Sequence, residues 1–222
     1  MIKITEYNQE KQELEFITDM PINLANAIRR SVLEIPIMAI EEVEIFKNDS
    51  ALYDEIIAHR LGLIPIKTNK TSKEIQFKLV EKGPKTVYST DLSPKTGTKY
   101  KLPIVILGEK QEIEMIATAK LGKGISHIKF SPGLIYYRHN IDPQILDFID
   151  VDRRGLVKYN EEEIKNKNLS EELIQKIKKL KEIKELIFNI ESWGQLEVRD
   201  VFIKSIEILN QNLKELGNKL IK

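Results

Sequence analysis

Residues 21–66 read PINLANAIRRSVLEIPIMAIEEVEIFKNDSALYDEIIAHRLGLIPI, and this one run predicts a helix, a strand, a turn and a second helix. Leu24, Ala27, Ile28, Val32 and Ile35, with Ser31 among them, recur at the spacing of an amphipathic helix. Asn23 is the expected N-cap and Pro36 the stop. Arg29 and Arg30 are adjacent, so about 100° separates their directions and at least one leaves the apolar stripe. Both arginines are then surface charges, paired locally with a carboxylate such as Glu34, or contacts for another molecule. Met38 to Phe46 predicts a strand through Ile40, Val43 and Ile45, although Glu41 and Glu42 break strict alternation. Asn48, Asp49 and Ser50 supply turn chemistry. A short helix over 52–61 ends at Gly62, before Leu63-Ile64-Pro65-Ile66.

Outward from this stretch, residues 2–18 predict two short strands, IKITEYN and ELEFIT, turning at Gln9 to Gln12. They supply a sheet for the helix, because a lone amphipathic helix has nothing of its own on which to bury its face. From Ser72 to Tyr137 the runs EIQFKLV, YKLPIVIL, QEIEMIATAKL and HIKFSP, punctuated by glycine, proline and lysine, predict a β-rich module. Residues 142–185 show no clean period except in SEELIQKIKKLKEIKEL, where Leu173, Ile174, Ile177, Leu180 and Ile183 follow Ser170 at helical spacing. Leu186 to Ile190 predicts a strand and Trp193-Gly194 a turn. A helix from Glu197 to Leu220, roughly 35 Å long, closes the chain. Its Ile206, Leu209, Leu213, Leu216 and Leu220 alternate three and four apart, the seam of helix-on-helix packing. Val201, Phe202 and Ile208 widen the apolar surface beyond what one amphipathic face requires.

The runs NAIRRSVLEIP (26–36), EEVEIFKNDSALYDEIIAHRLGLIPI (41–66), ATAKLGKGISHIKFSPGLIYY (117–137) and FNIESWGQLEVRDVFIKSIEIL (188–209) carry a resemblance. Together and in this order they resemble the D-type subunits of archaeal DNA-directed RNA polymerase, a family that includes the eukaryotic third-largest-subunit lineage and the amino-terminal domain of bacterial alpha. The resemblance implies an α+β fold: a discontinuous dimerisation module over 1–47 and 186–222, a β-rich insert over 48–141 and a small helical remnant over 142–185. It implies a non-catalytic platform. Leu24, Ile28, Val32, Ile206, Leu209, Leu213 and Leu216 would meet the smaller subunit L, and Arg29 and Arg30 a large catalytic subunit. Small subunits such as N would join them, with DNA reached only through the complex. Many relatives carry a cysteine-rich insertion before the closing strand. This chain has no cysteine, so no iron–sulfur cluster, zinc or other cofactor is expected.

Composition sets wider limits. With 222 residues and 41% hydrophobic content the chain builds one large or two small cores. Its 35 basic and 34 acidic residues leave +1, so no net field draws the whole chain to nucleic acid or an anionic membrane. No apolar run reaches the roughly 18 residues of a membrane span and the first residues lack a signal-peptide core, so a cytoplasmic location is expected. His59, His127 and His139 stand in no HExxH or HxH pattern. Gly122-Lys123-Gly124 lacks the rest of a P-loop and reads as a tight turn. The basic stretches from Lys78 to Lys85 and from Lys176 to Lys181 have no interleaved aromatics to stack on bases. The rival readings are a hydrolase using His59 or His127 and a free-standing nucleic-acid-binding module.

Overall fold

The computed structural model describes residues 2–69, 73–152, 155–160, 164 and 170–220. They belong to two compact units, each assembled from two stretches: Met1–Arg29 with Ile135–Ile190, and Arg30–Leu134 with Glu191–Lys222.

In the first unit, strands β1 (Ile2–Asn8) and β2 (Glu13–Thr18) pair antiparallel around the expected turn. They continue into β11 (Leu186–Ser192) and β8 (Gly133–His139), in the order β1-β2-β11-β8. Alternation in β2 turns Leu14, Phe16 and Thr18 inward. One aromatic column then crosses three neighbouring strands: Phe16 stacks on Phe188 with ring centroids 5.3 Å apart, and Tyr137 stacks on Phe188 at 5.5 Å. Helix α1 spans Ile22–Ser31, its first turn closed by the Ala25 amide donating to the Pro21 carbonyl at 3.0 Å. Asn23 therefore lies inside the helix and is not its N-cap; the helix begins earlier because the Pro21 carbonyl takes the first helical hydrogen bond.

The stretch 142–185 is more than a helix. Strands β9 (Ile149–Val151) and β10 (Val157–Tyr159) pair antiparallel, and α3 (Glu171–Lys179) opens on Ser170, whose side chain accepts from the Leu173 amide at 3.4 Å. Ile145, Phe148, Ile149, Ile164, Ile177 and Ile183 form a core of their own. The helix stops at Lys179, short of its expected end, because the chain from Lys181 to Ile183 pairs instead with the β10 edge. The Val157 amide donates to the Lys181 carbonyl at 3.1 Å and the Ile183 amide to that of Gly155 at 2.8 Å.

In the second unit, β3 (Ile37–Asn48), β7 (Glu112–Gly122) and β4 (Ile75–Lys82) form an antiparallel sheet with β7 in the middle. Its residues Ile113, Met115, Ala117 and Ala119 are fully buried, the strict alternation of a strand with one covered face. The β3 register shifts between Ile40 and Glu42 and again between Ile45 and Lys47. These bulges explain why Glu41-Glu42 interrupt the alternation without ending the strand. Strands β5 (Lys85–Tyr88) and β6 (Pro103–Leu107) pair separately. Helix α2 (Asp54–Gly62) buries Ile57 and Leu61 in the same core, and its Arg60 guanidinium donates to the Ile104 carbonyl of β6 at 2.7 Å. The expected strand HIKFSP is instead a 3-10 turn over Ile128–Phe130, because His127 Nδ1 accepts from the Lys129 amide at 3.2 Å and caps it. Helix α4 (Val198–Leu220) closes the chain.

Two expectations follow for the first unit. Gly155 has φ +87°, and a Cβ placed there would lie 2.5 Å from the Ile183 carbonyl oxygen. Gly155→Ala should lower stability by about 1–3 kcal/mol in denaturant unfolding. Nearby, His139 Nδ1 is buried with no hydrogen-bond partner among the described residues. Burial holds its pKa below the ordinary 6.5, against an opposing pull from Asp152. Above that value the ring is neutral in both states and stability does not depend on it. As pH falls below it, the unfolded chain takes up the proton first, and stability drops until the folded ring is protonated too. As the pH is lowered through the ordinary histidine value the unfolding midpoint should fall, and His139→Asn should flatten that slope.

Candidate partner interface

The closing helix is fixed at its start by local hydrogen bonds. The Trp193 amide donates to the Pro132 carbonyl at 3.0 Å, and the Ser192 hydroxyl donates to the Leu196 carbonyl at 2.6 Å. The Thr68 amide donates to the Gln195 carbonyl at 2.9 Å, and Lys67 pairs with Glu197 at 2.8 Å. The helix then buries Val198, Val201 and Ser205 completely and packs beside the 3-10 turn Val32–Glu34. Asn212 Nδ2 donates to Glu34 Oε2 at 3.0 Å and extends that contact about two further turns.

A second apolar stripe runs along the same helix. At about 100° per residue, Phe202, Ile206, Leu209, Leu213, Leu216 and Leu220 centre roughly 90° around the axis from Val201, Ser205, Ile208 and Asn212. Phe202, Ile206 and Leu209 are half-buried, whereas Leu213, Leu216 and Leu220 are 57%, 54% and 78% exposed. The stripe thus passes from partial cover to none. Beside it lies a groove of about 300 Å³ with Ile35, Pro36, Leu121 and Ile208 among its walls, which the sequence pattern does not reveal. Its one sequence signal is Ile208, apolar yet off the three-four seam.

The other expected contacts are distributed differently. Leu24 is 45% exposed. Ile28 and Val32, expected at the same interface, are 3% and 2% exposed, so in this fold they hold their own chain together and offer no surface to a partner. Periodicity reports their burial correctly but not what buries them. Arg29 and Arg30 are exposed. Arg29 donates to Asn26 Oδ1 from Nε at 3.2 Å and from Nη2 at 2.9 Å, while the Glu34 carboxylate is engaged by Asn212.

The histidines do not converge on a site. His59 is exposed in the last turn of α2, His127 caps its own turn, and His139 is half-buried. Among the described residues no three histidine, aspartate or glutamate side chains are grouped to hold a metal ion, and no helix is long and apolar enough to cross a membrane. Much of the basic charge is already paired: Lys82 with Glu112 at 2.7 Å, Lys85 with Glu81 at 3.0 Å, and Lys176 with Asp142 at 2.6 Å.

Sequence comparison identifies the family. The family described as the RNA polymerase Rpb3/Rpb11 dimerisation domain matches residues 16–213. The DNA-directed RNA polymerase subunit Rpo3 of Pyrococcus horikoshii is 34% identical over 257 aligned positions, covering 99% of this chain and 98% of the relative. The Rpo3 subunit of Thermococcus kodakarensis is 30% identical, covering 100% and 99%. That of Methanocaldococcus jannaschii is 41% identical over 157 positions, covering 68% of this chain and 82% of the relative.

Proposed function

This chain belongs to the DNA-directed RNA polymerase subunit Rpo3 family, and from that membership we propose that it pairs with the polymerase's subunit L through the outward stripe of α4. It is an assembly subunit of the polymerase, working in archaeal transcription. The pair then forms the platform on which the large catalytic subunits dock, with small subunit N joining it, and the chemistry of polymerisation belongs to those partners. DNA is reached only through the assembled enzyme, in the cytoplasm where that enzyme works.

The observation that carries this reading is the uncovered stripe. Leucines at 213, 216 and 220 stand more than half exposed at helical spacing, on a helix that has already buried a different face. Exposed apolar surface of this regularity marks a surface that another chain covers. A partner helix laid along it fits the three-four alternation. Ile206, Leu209, Leu213 and Leu216 are the expected contacts that stay available to it, with Leu24 exposed on α1.

Arg29 and Arg30 are proposed as contacts of a large catalytic subunit. A guanidinium offers a planar fork able to hold a carboxylate or several carbonyls at once. The hydrogen-bonded side chain beside Arg29 is the neutral amide of Asn26, which leaves the guanidinium charge for a partner to meet.

Mass spectrometry of a complex isolated through this chain tests the assignment directly: subunit L and the large subunits should co-purify, and their absence would overturn it. Replacing both Leu209 and Leu213 by Asp should abolish pairing with subunit L in size-exclusion chromatography, since each carboxylate left unpaired in an apolar interface costs on the order of 3–5 kcal/mol. Replacing Arg29 and Arg30 together by Ala should leave that pairing intact and weaken large-subunit docking by about 2–5 kcal/mol, read by pull-down across a salt series. Undiminished recruitment would remove both arginines from the docking surface.

A further inference from the structure

We propose that Leu213, Leu216, Gly217 and Leu220 form a socket on α4 that receives one side chain larger than leucine from a helix of the dimerisation partner. The inference rests on the pairing proposed above and assigns a specific contact within it.

The four positions are i, i+3, i+4 and i+7, the arrangement of the hole into which a facing helix inserts a knob. Three of them are leucines that stand 57%, 54% and 78% exposed, so the rim is apolar and open. The fourth is a glycine. Glycine weakens a helix interior relative to alanine, and it is kept there where something must come close. Nothing among the described residues makes that demand, because a Cβ added at Gly217 would meet no described atom within 4 Å beyond its chain neighbours and its own helical backbone. A capping role does not explain it either. The helix continues through Leu220, and Gly217 is not among the glycines of positive φ.

An equivalent socket upstream shows what is special here. Ile206, Leu209, Asn210 and Leu213 form it, and Asn210 fills the position that Gly217 holds in the last socket. The last socket has that side chain removed, and the space so opened takes a knob of aromatic size.

The occupant follows from continuity. The dimerisation-domain match ends at residue 213, inside a helix that runs without interruption from Val198 to Leu220. The stripe inside the matched region and the socket beyond it are therefore one surface on one rigid element. A helix lying along Ile206, Leu209 and Leu213 reaches the socket by extending two further turns.

The test uses the whole chain and purified subunit L. Gly217→Leu fills the socket while improving helix propensity, so the isolated chain should unfold at the same or a higher temperature, yet its Kd for subunit L should rise about tenfold or more. Gly217→Ala should fall between it and the wild type. Asn218→Leu, with the same added bulk pointing about 100° away, should bind as the wild type does. Gly217→Leu binding subunit L as tightly as wild type does would overturn the socket while leaving the pairing intact. A Gly217→Leu effect confined to self-association of this chain would assign the socket to a second copy and also overturn it. Failure of the wild-type chain to bind subunit L would instead reject the pairing itself, and the socket with it.

Discussion

A helix can bury one apolar face against its own chain, and α4 carries two. That surplus governs how the rest of this protein is read. The inward face, with Val198, Val201 and Ser205 fully buried, joins the helix to the 3-10 turn after α1. The outward stripe, about a quarter turn away, has no such cover past Leu209. An amphipathic surface helix normally shows one apolar stripe and a polar remainder. Here the extra stripe is a cost to the isolated chain, since exposed leucines at 213, 216 and 220 invite indiscriminate contacts. The proposed pairing would remove the cost, and membership of a polymerase subunit family supplies a setting for it.

The elements most legible in the sequence are those whose pattern is local. The β1 and β2 strands stand where alternation places them, and the closing helix begins one residue after its expected start. The losses have physical reasons. Strand β8 does not stand out by alternation, because GLIYYRH mixes both faces, and its Tyr137 is held instead by the aromatic column through Phe188 and Phe16. HIKFSP has the composition of a strand, but His127 supplies a cap and the local hydrogen bond wins over β propensity. The bulged β3 is the reverse case. Glu41 and Glu42 look like a break, yet an extra residue at each register shift restores the inward face beyond it.

Burial is the point at which sequence reading meets its limit. Ile28 and Leu213 carry the same periodic signal, because periodicity records only that a face avoids water. One is buried by its own chain at 3% exposure and the other stands open at 57%. No count of apolar residues separates these outcomes. The surplus of apolar positions around α4 does, since one helix cannot turn all of them toward one core. Arg29 and Arg30 illustrate the same limit for charge: their exposure is evident from adjacency on a helix, whereas the Asn26 partner of Arg29 depends on side-chain direction.

The described residues between 142 and 185 show how an apolar cluster ties short elements together. Their two strands are three residues each and their described helix nine, too little backbone pairing to persist in isolation. What binds them is the cluster of Ile145, Phe148, Ile149, Ile164, Ile177 and Ile183, with Gly155 permitting the chain to pass close to Ile183. The arrangement divides the protein's apolar residues by task. Those of this cluster and of the β7 sheet face are consumed in folding, so changes there act on stability. Those on the outward side of α4 past Leu209 contribute little to the isolated fold, so under the proposed pairing changes there act on assembly. Because α4 keeps its inward and outward residues on separate faces, a defect in the proposed pairing can be told from a defect in folding by the side of α4 on which the substitution lies.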